Sequence, residues 1–204
     1  FLCDFVSLWQ NKQFMKVIGI NGSPRKSGNT SILIRTVFEE LEKEGIETEF
    51  IQLGGKQVHG CTACGKCREA KDGRCHIKND FLNEVIAKMV EADGIILGSP
   101  VYFADITTEM KALIDVSGYV TRGNGHLLKR KVGAAAIVER RGGALHAFET
   151  INNFFLISQM IIPGSSYWNF AFGGPIGDVL KDAEGMQTMR TLGENMAWLM
   201  KKLR

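Results

Sequence analysis

The chain has 204 residues, 45% of them hydrophobic and 23% charged, which suits one globular core and excludes a chain disordered throughout. Lys plus Arg is 25 against 22 Asp plus Glu, a formal net charge of +3, and the basic residues gather only in short runs such as Lys129-Arg130-Lys131 and Arg140-Arg141. That argues against a nucleic-acid binder, and no apolar run reaches the ~20 residues of a membrane-spanning helix.

Residues 1–14 (FLCDFVSLWQNKQF) lack the basic leader and small-residue cleavage site of a secretory signal. They read as an extension, natural or added, ahead of a start at Met15, with Cys3 a bystander and residues 15–204 the domain. Residues 16–20 (KVIGI) end at Asn-Gly and predict a buried central strand. An amphipathic helix follows over 29–44, with Leu33, Val37 and Leu41 on one face and Gly45 as its stop. Residues 47–53 alternate as a strand, and 54–79 are irregular and carry the cysteines. Asp80 is the expected cap of a second helix bearing Phe81, Val85 and Met89. Next come a strand over 94–99 (GIILGS), a helix over 107–116, a strand over 131–138 (KVGAAAIV) and a helix over 145–160. Ile161-Ile162-Pro163 opens a fifth strand, and a last helix covers about 182–203. The alternation predicts an α/β fold: a doubly wound, five-stranded parallel sheet in the flavodoxin-like order 2-1-3-4-5, with helices on both faces.

The loop 22–30 (GSPRKSGNT) joins the first strand to the first helix. In such a sheet, ligands bind at the carboxyl ends of the strands. The loop offers the hydroxyls of Ser23, Ser27 and Thr30, the Arg25 cation and the free N–H groups of a helix start, all of which suit a phosphate. It is neither a Walker A loop nor G-x-G-x-x-G. An ordinary turn before a capped helix is the competing reading.

Cysteine usage points elsewhere. Four of the five cysteines, Cys61, Cys64, Cys67 and Cys75, lie within fifteen residues. Such clustering in a chain of ordinary size indicates metal or redox chemistry in a reducing, cytoplasmic setting rather than a disulfide scaffold. The spacing can wrap an iron–sulfur cube, whereas structural zinc more often uses two separated pairs. Empty thiols and zinc stay open as alternatives, and His59 and His76 beside the motif read as loop histidines.

The 22–30 loop resembles the flavin phosphate loop of the NADPH-dependent FMN reductase and multimeric-flavodoxin families. Residues 98–103 (GSPVYF), followed by 110–115 (MKALID), resemble their ring-contacting loop and its helix. The resemblance covers Met15 to the C-terminus, and the cysteine spacing resembles that of the iron–sulfur flavoprotein subgroup, which usually has a shorter last gap. It implies an FMN phosphate on Ser23, Arg25, Ser27, Gly28, Asn29 and Thr30. Pro100, Val101, Tyr102 and Phe103 would then flank the ring. A third flavin loop, with Glu139, Arg140, Gly142 and Gly143, would meet its pyrimidine edge. Arg140 or Arg141 would receive a nicotinamide cofactor phosphate, or else form a solvated surface pair. Cys61, Cys64, Cys67 and Cys75 would ligate a four-iron, four-sulfur (4Fe-4S) cluster.

The expected activity is an FMN-dependent NAD(P)H oxidoreductase of the flavin or quinone reductase type, serving a small-molecule acceptor, a redox protein or the cluster. No acid–base catalytic residue is named, because the cofactor carries the chemistry. The alternative is an electron-transfer iron–sulfur flavoprotein fed by a ferredoxin-like partner. A zinc-binding interaction protein is the third reading. A homo-oligomer is expected, with the Met-rich last helix and the Phe-rich 148–155 stretch serving either as its interface or as core.

Overall fold

A computed structural model describes residues 14–77 and 81–204. The extension with Cys3 and the expected Asp80 cap lie outside the described residues. Strand β1 (Lys16–Asn21) is buried along nearly its whole length. It pairs in parallel with β2 (Glu47–Gln52) on one side and β3 (Gly94–Pro100) on the other. β3 pairs with β4 (Val132–Glu139), and β4 with the short edge strand β5 (Phe170–Phe172). Among the described residues the sheet therefore has the order β2-β1-β3-β4-β5, all parallel, as the alternation predicts.

Helices α1 (Asn29–Lys43) and α6 (Ala183–Lys202) cover one face of the sheet. Helices α3 (Leu82–Glu91), α4 (Thr108–Gly123) and α5 (Ala144–Ile157) cover the other, giving two apolar layers. The first layer holds Val17, Leu33, Val37, Ile96, Met189 and Met196; the second holds Ile18, Ile95, Leu97, Val85, Leu113 and Phe155. The approach of α1 is close: a Cβ on Gly98 would stand 2.6 Å from Ile34 Cδ1. Only a strand that presents bare backbone there lets the helix seat. The Met residues of α6 and Phe154 and Phe155 of α5 are core, so the expected oligomer draws no interface from them. No helix among the described residues is long and apolar enough to cross a membrane.

Three elements differ from expectation. The fifth strand is not at 161–163. Ile161 makes one isolated bridge to Val132, and the edge strand forms only at Phe170–Phe172. Pro163 has no N–H for the ladder, so the chain leaves the sheet there and rejoins it beside Ile137. Helix α4 runs to Gly123 rather than 116, because nothing breaks it sooner; Thr107 caps it, accepting from Met110 N at 3.4 Å. A short helix, α2 (Lys66–Ala70), stands inside the cysteine segment.

Candidate functional site

The carboxyl ends of β1, β3 and β4 open onto a cleft of about 590 Å³, a size that suits a cofactor. Ser23, Arg25, Asn29 and Thr30 form its polar end, and Pro100, Val101, Tyr102 and Val138 its apolar wall; Arg140, Gly173, Gly174 and Pro175 complete it. Of the sequence-predicted residues, Ser27 is exposed on the turn and Gly28 is the N-cap of α1. That cap makes no side-chain hydrogen bond and the first turn holds no acid. The helix start is left for an anion.

The polar loop is braced from beneath by side chains that composition and spacing did not single out. Fully buried Asn21 accepts from Ser23 N at 3.1 Å and donates to Gln52 Oε1 at 2.8 Å. Gln52 Nε2 in turn donates to Ser23 O at 2.7 Å and Gly54 O at 2.8 Å. Thr107 Oγ1 donates to Gly22 O at 2.9 Å, and Thr107 N to Ser99 Oγ at 3.0 Å. Two of these bonds are local, two residues apart; the others join partners 8 to 85 residues apart, which no local pattern announces. The only local trace was an Asn and a Gln at strand ends, where apolar runs stop.

The ring-side loop is a tight hairpin. Tyr102 and Asp105 exchange backbone bonds of 2.7 and 3.1 Å, and Phe103 and Ala104 between them both have positive φ, 46° and 67°. Glycine or asparagine is usual in such a turn, so the chain holds strain here. The turn points Phe103 fully into solvent, off the cleft, while Tyr102 lines it half-exposed. Sequence reasoning placed both beside the ring; of the two, only Tyr102 lines the cleft. The third loop carries Gly143 at φ 100°, where an added Cβ would meet Ala104 Cα at 2.8 Å and Val101 Cγ1 at 2.9 Å. Gly142 is exposed with open space around it, Arg140 lines the cleft, and Arg141 is exposed. Glu139 is buried, and its carboxylate accepts from Ala144 N at 3.0 Å. It braces the start of α5 rather than reaching the cleft lining.

The sequence reading assigned no site residue to the 173–177 loop. Gly173 N donates to Glu139 O at 2.8 Å, and Gly174 N to Asp178 Oδ2 at 3.2 Å. Its lone sequence signal was the Gly-Gly-Pro run after an apolar pair.

The cysteines lie in a second place. The connection leaves β2 at the carboxyl edge, where Gly55 N meets Glu109 Oε1 at 3.1 Å, then runs back along α4. Cys61, Cys64, Cys67 and Cys75 share a small hollow with Val116, Tyr119 and Val120. Those residues sit 8 to 12 positions into α4, about 12–18 Å along its axis from the ring-side loop. Cys61 and Cys64 are exposed, Cys67 is buried and Cys75 is half-buried. Backbone N–H groups turn onto two sulfurs: Ala63 N onto Cys61 Sγ at 3.4 Å, and Lys66 N onto Cys64. The Lys66 N–H, with help from Thr62 and the Lys66 charge, holds the Cys64 thiol below its ordinary value. Burial, then the neighbouring thiols, push Cys67 up.

Two amides clamp the segment. Asn83 of α3 bonds both Cys75 N and Cys75 O at 2.7 Å. Asn124, just beyond α4, donates to Cys67 O at 3.1 Å and accepts from Gly73 N at 3.0 Å. Arg68 stacks on Tyr119 at 3.9 Å. His76 pairs with Asp72 at 3.3 Å on the rim.

The sequence matches the NADPH-dependent FMN reductase family across residues 15–174. The chain belongs to that family. It is similar to an iron–sulfur flavoprotein of Methanocaldococcus jannaschii, 43% identical over 197 residues, which span 93% of this chain and 100% of that protein. An iron–sulfur flavoprotein of Methanosarcina thermophila is 38% identical over 178 residues, 86% of this chain and 90% of that one. Solved structures share the fold. A flavone reductase superposes with a TM-score of 0.67 at 19% identity, covering 93% of this chain and 64% of that one. A flavodoxin from the domain Archaea gives 0.59 at 17%, covering 92% and 99%.

As an FMN reductase family member the protein is a flavoprotein oxidoreductase, and the cleft suits the group. A polar end with an uncapped helix start and an arginine matches a monophosphate. The apolar wall matches a flat ring. The cysteine hollow has the soft donors that thiophilic metals choose. As it stands it measures only about 10 Å³, and among the described residues no three His, Cys, Asp or Glu side chains converge as ligands of one ion.

Proposed function

We propose that the cleft binds FMN and that the protein is an NAD(P)H-dependent oxidoreductase of the flavin or quinone reductase type. The observation that carries this reading is the uncapped start of α1 facing an apolar wall across one cleft. In this reading FMN, when bound, supplies the hydride-accepting ring. The residues of the chain do the rest. The N–H groups of Asn29 and Thr30, the Ser23 and Thr30 hydroxyls and the Arg25 cation hold the phosphate charge; Ser27 and Gly28 shape the turn. Pro100, Val101 and Tyr102 cover one side of the ring and keep water from it. Gly142 and Gly143 let backbone approach its edge, and Glu139 steadies that loop. Arg140 and Arg141 stand where the phosphates of a nicotinamide nucleotide would arrive. Anaerobic mixing with NADPH or NADH tests the reading: the oxidised flavin absorbance should bleach within the enzyme's turnover time. Bleaching by dithionite but by neither nucleotide would remove the NAD(P)H step.

A second reading, an electron-transfer iron–sulfur flavoprotein, is favoured by the gathering of four thiols in one hollow and by its similarity to iron–sulfur flavoproteins. Cys61, Cys64, Cys67 and Cys75 would be the ligands of a 4Fe-4S cluster. The cysteine side chains would have to rotate to admit it. Anaerobic reconstitution should then give about four irons per chain. Zero iron under those conditions leaves a plain flavin reductase with a thiol-rich loop.

A further inference from the structure

Asn29 was expected among the phosphate-holding residues, but its side chain points elsewhere. Its Nδ2 donates to Pro175 O at 2.8 Å, and its Oδ1 accepts from Gly177 N at 2.8 Å. A carbonyl oxygen on one side and an N–H on the other fix which way round the amide lies. The residue is buried, and its partners lie 146 and 148 positions away. The segment it holds, 173–177, is a wall of the cleft through Gly173, Gly174 and Pro175. Gly177 carries φ 82°, so the turn that offers its N–H to Asn29 is one that other residues resist. Packing presses from the opposite side. A Cβ on Gly173 would stand 2.8 Å from Asn29 Nδ2 and 2.9 Å from Val179 N.

We propose that Asn29 is a positioning residue for the flavin site: its side chain latches the 173–177 wall over the α1 phosphate end, and acts on the cofactor through that wall rather than as a side-chain ligand of the phosphate. The proposal rests on FMN occupying this cleft. The latch ties the start of α1 to a loop next to the edge strand. One polar side chain thereby closes a cleft whose two sides come from opposite ends of the chain. The rest of the wall keeps its own anchors at Glu139 O and Asp178. Removal of the latch therefore frees the wall and spares the fold.

Riboflavin, which has the ring and ribityl chain but no phosphate, separates the roles. With full-length, flavin-free protein, Asn29→Ala should weaken FMN and riboflavin by the same factor, about tenfold, as loss of two ordinary hydrogen bonds allows. Amide exchange at Gly177 should rise by a similar factor in the flavin-free protein. Gly173→Ala removes no polar atom but displaces the latched amide, and should reproduce the shared loss for both flavins. Weaker FMN binding with riboflavin unchanged would make Asn29 a phosphate ligand and overturn the proposal. So would unchanged binding of both flavins, or unchanged Gly177 exchange. If Asn29→Ala does not fold, Gly173→Ala decides alone by the same FMN-to-riboflavin ratio. Wild-type protein that binds neither flavin would instead sink the FMN reading on which the proposal rests.

Discussion

The cleft at the strand ends and the cysteine hollow are both built on irregular chain between a strand and a helix, yet they are held in different ways. The cleft is braced by the buried side chains of Asn21, Ser99, Thr107, Asn29 and Glu139 and the half-buried Gln52, each bonded to backbone at the strand ends and helix starts around it. The hollow has two amide clamps and one cation–π stack on its inner side, and two of its four thiols face solvent. A phosphate site works by aiming N–H dipoles, so the backbone must be in place before the ligand arrives. A thiolate site gains much of its order from the ion it binds, because crowded thiolates repel without a cation. The buried Cys67, pushed up by burial and by its neighbours, carries that repulsion.

The sharpest way to break the comparison is at Gly54, where a Cβ would lie 2.2 Å from Ser23 C and 2.4 Å from Gly22 O. These are backbone atoms, which cannot give way cheaply. Gly54→Ala should cost roughly 1–3 kcal/mol of stability and lower FMN affinity more than any change in the hollow, read by thermal melts and flavin titration. Wild-type affinity would show that the loop is less rigidly braced than its bonds imply. Next in size is Arg25→Ala. It removes a charge-assisted contact of roughly 1.5–3 kcal/mol, so FMN affinity should fall about tenfold to a hundredfold. Cys64→Ala should leave that affinity unchanged, and equal losses would mean the two regions are coupled.

Smaller effects are expected on the other side. Asn83→Ala and Asn124→Ala each strip bonds from a cysteine backbone, about 1–2 kcal/mol of local opening. Labelling of the buried Cys67 in metal-free protein should speed up roughly tenfold while FMN binding stays the same. Equal labelling rates would mean that the clamps do not order the segment. The smallest effect is one of pH. The Cys64 thiol is lowered and the Cys67 thiol raised, and only the thiolate reacts. As pH rises from 6, iodoacetamide should modify Cys64 first, and Cys67 should follow only at higher pH. The reverse order, by mass spectrometry of the metal-free protein, would mean the Lys66 N–H does not favour the Cys64 thiolate.

Much of this architecture was legible along the chain. Apolar runs 16–20, 94–99 and 131–138 marked strands buried on both faces, and spacings of three and four marked the helices between them. Both are local periodicities, and a right-handed α/β crossover leaves few ways to connect them. The polar end of the cleft was readable because its donors, Ser23, Arg25, Asn29 and Thr30, lie close together in one loop. The four cysteines were readable because their spacing is short. What escaped depended on chain that meets only after folding. The Asn29–Pro175 bond, the Thr107–Gly22 bond and the seating of the cysteine segment along α4 join residues tens to more than a hundred positions apart. The edge strand moved to Phe170–Phe172 because a proline broke the nearer candidate, and only pairing with Ile137 selected the farther one. Phe103 left the cleft because a two-residue turn with positive φ aimed it outward. Residue type and spacing thus determined which elements form and which chemistry they carry. The tertiary structure alone decided which backbone groups those side chains hold, since a hydrogen bond depends on position in space and not on distance along the chain.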